Sequence, residues 1–405
     1  MIKKPNLKEF LYGVLAIKFT LLSIASFVQI PTPHIHRQMD TLGVSLRYYQ
    51  KFFIEEFSLL SLLPSVLQAG DSAGITAMEF PFINIVLSPF FSISSFYKVQ
   101  AALIAYYILT ICLYLCCIKA WKGIQIEKID MSKVVMISPF ISVMIPHFYK
   151  VVPDVWALYL MMIGVALSWN GKNKIISVII VSLSLLIKPI LVSLFAIYLL
   201  KNLKWILRKL FMAVPILITI LYYTKGIAFI REYADASFFA IKAKSISENL
   251  FYLKSYWPGL LRTLNELFIT KYAFILIVPF ITYEILKKRY VSFKLFSLIL
   301  LQCAFCWLIS GTALVMHKYY VLSSIPLVAL LIFIMFERIE KKAIVNILIL
   351  LLIVKNVDTF VSETKQLYSS KKFMWRISSD CRKIKEELNT LGVKKIRTTR
   401  ETFPL

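Results

Sequence analysis

Five short polar motifs interrupt an otherwise apolar chain: His36-Arg37-Gln38-x-Asp40-Thr41, Glu79-Phe80-Pro81, Pro153-Asp154, Lys188-Pro189 and His317-x-Tyr319-Tyr320. Between them they offer carboxylates, cations and phenol hydroxyls. A carboxylate beside a hydroxyl can remove its proton. An arginine can grip phosphate with a fork of donors, and a lysine meets it as a point charge. Together these residue types suit transfer of a group away from a phosphate, provided that one pocket holds them. Each also has a plain structural reading. Asp40 can cap a helix starting near Thr41. Arg37 can pair with Glu79 or Asp40, and Glu79 can pair with Arg37 or a lysine. Asp154 can fix the turn after Pro153, Lys188 can snorkel to lipid headgroups, and His317, Tyr319 and Tyr320 can form an aromatic interface belt.

The elements that position these motifs follow from composition. The chain has 405 residues, of which 59% are hydrophobic, above the roughly 45–50% of soluble domains. The excess forms long apolar runs, at roughly 10–30, 97–118, 133–149, 153–169, 175–187, 189–200, 210–223, 273–286, 295–316, 319–336 and 343–354. This predicts an all-α polytopic membrane protein with about eleven transmembrane helices. The formal net charge of +25 is dispersed in short clusters between the runs, which excludes a nucleic-acid partner and fits the positive-inside rule. Lys3, Lys4 and Lys8 precede the first run. That run is longer than a signal-peptide core and lacks a small-residue cleavage site, so it reads as a membrane helix.

If every run crosses, six basic clusters share one face, the cytoplasmic one, together with the N-terminus. They are the N-terminus, 119–133, Asn170–Lys174, Lys201–Lys209, 287–294 and 338–342. The stretch 175–200 decides the count. Its two flanks are both basic, so two short helices meeting at Lys188–Pro189 keep them together, whereas one kinked helix separates them. All five polar motifs then fall on the outer face. That face also takes the first loop 31–96, a second large loop 224–272 with interfacial character, and a short αβ tail 357–405 beyond the 1–356 membrane domain. In the first loop, Leu42, Leu46, Tyr49, Phe53 and Phe57 recur at helical spacing, as in an amphipathic helix on the membrane surface. Cys303-x-x-Cys306 has a metal or redox spacing, but inside an apolar run it reads as small packing residues.

The order of the five motifs, spread over residues 31 to about 326, resembles the bacterial GT-C membrane glycosyltransferases, relatives of the protein O-mannosyltransferases and of the lipid A aminoarabinose transferase. The resemblance implies a GT-C fold and inverting transfer of a sugar from a polyprenyl-phosphate (undecaprenyl-phosphate) donor. The acceptor it implies is a cell-envelope lipid or glycan, such as a lipopolysaccharide component, and the reaction takes place on the periplasmic face of the inner membrane. It assigns Asp40 as general base, with Glu79 as the second acidic position of the same loop. Arg37, Lys188 and His317 are then the cations for the donor phosphate, and His36, Gln38, Asp154, Tyr319 and Tyr320 complete substrate binding. A divalent cation at His34, His36 and Asp40 is conceivable, since these ligand types suit zinc or manganese, but nothing compact completes the set and no metal ligand is assigned. Two rivals remain open: a lipid-linked glycan transporter or flippase, and a non-catalytic envelope assembly protein.

Overall fold

The computed structural model describes residues 35–64, 78–93, 98–126, 128–141, 151–171, 173–234, 246–267, 273–311, 314 and 318–338, with 35–40, 318, 319 and some other positions within helices described through their backbone alone. The expected first helix at 10–30, the run at 343–354, the αβ tail, His34 and His317 lie outside these residues. The described chain is all-α apart from one two-residue antiparallel ladder. Among the described residues, three stretches are long and apolar enough to cross a membrane: Val99–Trp121, Leu210–Ile230 and Val291–Ser310. Others are apolar but shorter, among them Lys174–Ile187, Pro189–Leu200 and Tyr320–Met335.

Helix α1 (Ile35–Phe53) carries the stripe expected of the first loop. Leu42 is buried, and Leu46 and Tyr49 pack against the core. Phe53 and Phe57 are mostly exposed. The helix starts at Ile35, so Asp40 sits inside it and is not its N-cap. Pro31 and Pro33 suit a start directly after them rather than at Thr41. Tyr48 and Lys51 donate to the carbonyls of Leu62 and Leu63, at 2.9 and 3.1 Å, and so hold down the turn that follows. Helix α2 (Phe82–Leu87) continues as a 3-10 turn over Ser88–Ser92. It is tied to α1 by Asn84, whose amide donates to the Thr41 carbonyl at 2.7 Å.

Helix α3 (Lys98–Trp121) leads into the ladder β1 (Gln125–Ile126) and β2 (Ile129–Asp130), then α4 (Met131–Ile137). Asp130 caps α4 by accepting from the Ser132 amide at 3.0 Å. Helix α5 (Pro153–Asn170) is buried along most of its length. Near its start, the Trp156 indole donates to the Thr110 hydroxyl at 2.7 Å, and the Tyr106 hydroxyl donates to the Val152 carbonyl at 2.8 Å. At its far end Trp169 lies 6.3 Å from Trp121. Helices α3 and α5 therefore run in the same direction. Gly171, at φ +69, closes α5 in a conformation that glycine adopts without a steric penalty.

Helix α6 (Lys174–Ile187) returns against α5. Ser177 donates to the Gly164 carbonyl at 2.7 Å and Ser184 to the Ala157 carbonyl at 2.6 Å. Lys188 then breaks the helix with extended dihedrals (φ −147, ψ 92). Pro189 explains the break, because a proline disfavours helical geometry in the residue before it. A 3-10 helix over Pro189–Leu200 runs back the other way, and its Tyr198 ring reaches Trp169 at 6.1 Å. The chain thus reverses at Lys188, and Lys201 ends up over the Trp169 ring at 4.9 Å. The two basic flanks of 175–200 come together at one end, as two short helices require and one kinked helix does not.

Short helix α7 (Leu203–Leu207) leads to α8 (Ala213–Leu221), a π-turn at Tyr222–Gly226 and α9 (Ile227–Ala234). Helix thus continues through about the first fifth of the expected 224–272 loop. Much of the remainder is α10 (Ile246–Leu267). The polar Thr224-Lys225-Gly226 suggests a loop, but the π-turn absorbs it without breaking the helix. Helices α11 (Ala273–Leu286) and α12 (Val291–Ser310) follow, then a 3-10 turn over Lys318–Ser324 and α13 (Ile325–Arg338). Cys303 and Cys306 are free and buried on α12. The Cys306 thiol donates to the Tyr320 carbonyl at 3.3 Å. At the opposite end of α13, Arg338 pairs with the buried Glu284, which Arg289 approaches to 3.7 Å.

Two predictions follow from packing and burial. A Cβ on Gly164 would lie 2.4 Å from a Val181 methyl and 3.3 Å from the Ser177 carbonyl. Gly164→Ala should lower thermal stability of the purified protein by about 1–3 kcal/mol. Combining it with Val181→Ala should cost less than the sum of the two changes, because the nearest clash is removed. Burial, with the Arg47 charge, pushes the Lys51 ammonium from 10.5 down to about 8. The folded state then loses this proton before the unfolded state does. Stability should rise as pH increases from about 8 to 10.5, and Lys51→Met should flatten that slope in melting curves.

Candidate functional site

The reversal at Lys188 places its side chain against the start of α5, because α5 and α6 are antiparallel and their serine hydrogen bonds fix the register. Its ammonium lies 3.0 Å from Asp154 Oδ1 and 2.7 Å from Glu79 Oε1. It also sits 5.5 Å from the centroid of the Tyr320 ring. Lys188 is only 4% exposed and Asp154 only 2%, which excludes a snorkelling lysine. Asp154 occupies the first turn of α5, where the helix dipole favours negative charge. Among the described residues neither Asp154 oxygen has a well-aligned hydrogen bond, so its link to Lys188 is mainly electrostatic.

Glu79 reaches this point by a chain of backbone anchors. The Phe80 amide donates to the Leu186 carbonyl at 3.2 Å, two residues before Lys188. The Tyr222 hydroxyl donates to the Met78 carbonyl at 3.1 Å, and its ring meets Phe80 edge-on at 5.7 Å. The Tyr223 hydroxyl donates to the Leu186 carbonyl at 2.9 Å. Tyr222 and Tyr223 belong to the π-turn. Sequence reading passed over them, because the run 210–223 was taken to end there. The one available signal was a pair of adjacent tyrosines at the close of an apolar run. Tyr320 is positioned from α12, whose Cys306 bonds its carbonyl. Gln302 on the same helix donates to the Ser193 carbonyl at 2.8 Å and binds α12 to the 3-10 helix.

The structure thus brings Glu79, Asp154, Lys188 and Tyr320 into one cluster, although they are widely separated in sequence. His36, Arg37, Gln38 and Asp40 fall in the first turns of α1 by backbone. Asp40 precedes Thr41, whose carbonyl is bonded by Asn84, five residues after Glu79. Tyr319 lies in the 3-10 turn beside Tyr320. No group of three potential metal ligands occurs among the described residues, and the His34, His36 and Asp40 side chains fall outside them.

Chemically, the cluster sets two carboxylates against one ammonium. Glu79 retains some exposure, with its side chain 20% accessible. No family model, curated protein or solved structure matches the chain.

Lys188 bridges two carboxylates that have little access to water. Lys188→Met should therefore destabilise the protein by about 3–5 kcal/mol. Asp154→Asn together with Lys188→Met should cost less than the sum of the single changes, by about 0.5–3 kcal/mol. Thermal unfolding of the four proteins of this cycle checks the coupling, and strict additivity would break the pairing.

Proposed function

We propose that the protein is an inner-membrane glycosyltransferase of GT-C type, with about eleven spans, a cytoplasmic N-terminus and a periplasmic active site. It transfers a sugar from a polyprenyl-phosphate donor to a cell-envelope lipid or glycan, with inversion at the anomeric carbon. The observation that supports this reading is the meeting of Glu79, Asp154, Lys188 and Tyr320 at the end of the bundle opposite the basic clusters.

In this reading Asp40 takes the proton of the acceptor hydroxyl as that oxygen attacks the anomeric carbon. The bond from that carbon to the phosphate oxygen breaks, and the leaving phosphate gains charge. Cations must meet that charge as it develops. Lys188 already faces Glu79 and Asp154. Arg37 and His317 supply the remaining positive charge in this proposal, and Glu79 orients the acceptor. Asp154 holds Lys188 in place, and Tyr319 and Tyr320, with His36 and Gln38, flank the sugar. The recess for the lipid chain lies by the short helices on either side of Lys188.

Mass spectrometry of envelope glycans and lipid A tests this in a deletion strain complemented with wild type or Asp40→Asn. A sugar mass missing from the deletion strain should return with wild type alone. With normal expression, Asp40→Asn should lower transfer by roughly 100- to 10,000-fold. Full restoration by Asp40→Asn would remove the base, and a glycan profile unchanged by deletion would remove the transferase.

A further inference from the structure

The end of the bundle opposite Lys188 carries a second organised site, and it does not depend on the glycosyltransferase reading. Three lysines from separate elements converge there on three aromatic rings. Lys201 lies 4.9 Å from the Trp169 ring and 6.0 Å from Trp205. Lys209 lies 5.2 Å from Trp205 and 6.0 Å from Phe211. Lys174 lies 5.8 Å from Phe211. The Trp169 and Trp205 rings are themselves 4.7 Å apart, and Asn202 fixes Trp205 by accepting from its backbone amide at 2.9 Å. Lys209 is buried and donates to the Ser168 carbonyl. Burial and the Lys174 charge draw Lys209 below the ordinary lysine value.

Among the described residues, no carboxylate pairs with these lysines. The sequence holds neither Asp nor Glu between Asp154 and Glu232. None of the three lysines forms an ion pair with a described residue. Lys204 and Arg208 stand exposed on α7 and just beyond it and add to the same field. Ring faces relieve a cation only in part, so the patch calls for an anion. Its flanks say which kind. Ile175, Leu203 and Leu210 beside it are 77%, 68% and 65% exposed, and these are large apolar side chains next to fixed positive charge.

We propose that this patch binds the headgroup of an anionic phospholipid. The phosphodiester sits among Lys174, Lys201 and Lys209, and the acyl chains lie along Ile175, Leu203 and Leu210. Juxtamembrane lysines attract anionic lipid in this way, and here aromatic stacking and a buried lysine give the charge a set geometry. The headgroup holds the start of α6 against the end of the 3-10 helix, and so braces the hairpin whose tip is Lys188.

The test uses the full-length protein purified in a neutral detergent and titrated with phosphatidylglycerol, phosphatidylcholine or inorganic phosphate. Binding is read by native mass spectrometry and by the melting midpoint. Phosphatidylglycerol should bind and raise the midpoint, while phosphatidylcholine and inorganic phosphate should not. Lys174→Gln with Lys201→Gln should weaken phosphatidylglycerol binding by roughly 30-fold. Lys201→Arg should retain it. Lys287→Gln with Lys288→Gln, in another basic cluster, should leave it unchanged. Equal binding of the two lipids by wild type would overturn the proposal without reference to any variant. Equal weakening by the two double variants would also overturn it, since diffuse charge would then account for the binding. An identical midpoint shift from inorganic phosphate would show an anion site with no lipid selectivity, against the proposal.

Discussion

A single ammonium group governs this architecture. Removing an ion from water to a protein interior costs several kcal/mol even after relaxation. Lys188 is almost wholly buried, and it sits at the point where the chain turns back on itself. Glu79 and Asp154 approach within 3.0 Å of it and offset that cost. Those carboxylates come from the first-loop region and from the start of α5. The ion pairs therefore require three distant segments to meet at one place, and many polar hydrogen bonds of the bundle serve that meeting. Ser177 and Ser184 set the register of α6 on α5. Tyr222 and Tyr223 carry α8 and its π-turn to the backbone on either side of the cluster.

Helix length gives the cluster its depth. Helix α6 has 14 residues, about 21 Å at 1.5 Å per residue. The segment after Pro189 has 12 residues, about 24 Å at the 3-10 rise of 2.0 Å. The tighter winding lets the shorter segment match its partner, so the hairpin closes evenly at its basic end. Both arms fall short of the roughly 30 Å of a bilayer's hydrocarbon core.

Much of this was legible in the sequence because two signals were strong. Apolar runs marked most of the described helices, and the lysines on both flanks of 175–200 required the reversal at Lys188–Pro189. Glu79, Asp154, Lys188 and Tyr320 stood out because charged or hydroxyl-bearing residues beside prolines, at the ends of apolar runs, are seldom accidental. Other features left no such trace. Periodicity does not distinguish a buried 3-10 helix from an α-helix when every residue is apolar, so the form of 189–200 was hidden. The π-turn looked like a loop because Thr224, Lys225 and Gly226 are residues that usually end helices. The placement of Asp40 inside α1 was obscured by Thr41, whose position before an apolar stripe suggested a helix start.

The two ends of the bundle are electrostatic opposites, and the distribution of acidic residues explains why. Between Asp154 and Glu232 the chain traverses the core hairpin and most of the following helix with no carboxylate. Every positive charge in that stretch must find its balance elsewhere. Lys188 finds it in Asp154, at the beginning of the stretch, and in Glu79 from outside it. Lys174, Lys201 and Lys209 are at the other end of the same short helices, too far along the axis to share those carboxylates, and they turn to ring faces and a backbone carbonyl. One sequence choice, the exclusion of acid from the hairpin, thus sharpens both sites. It reserves the buried lysine for two specific partners and leaves the opposite end with an unspent positive field. A single internal carboxylate near Trp169 would neutralise that field, and one near Lys188 would compete with Glu79 for its ammonium.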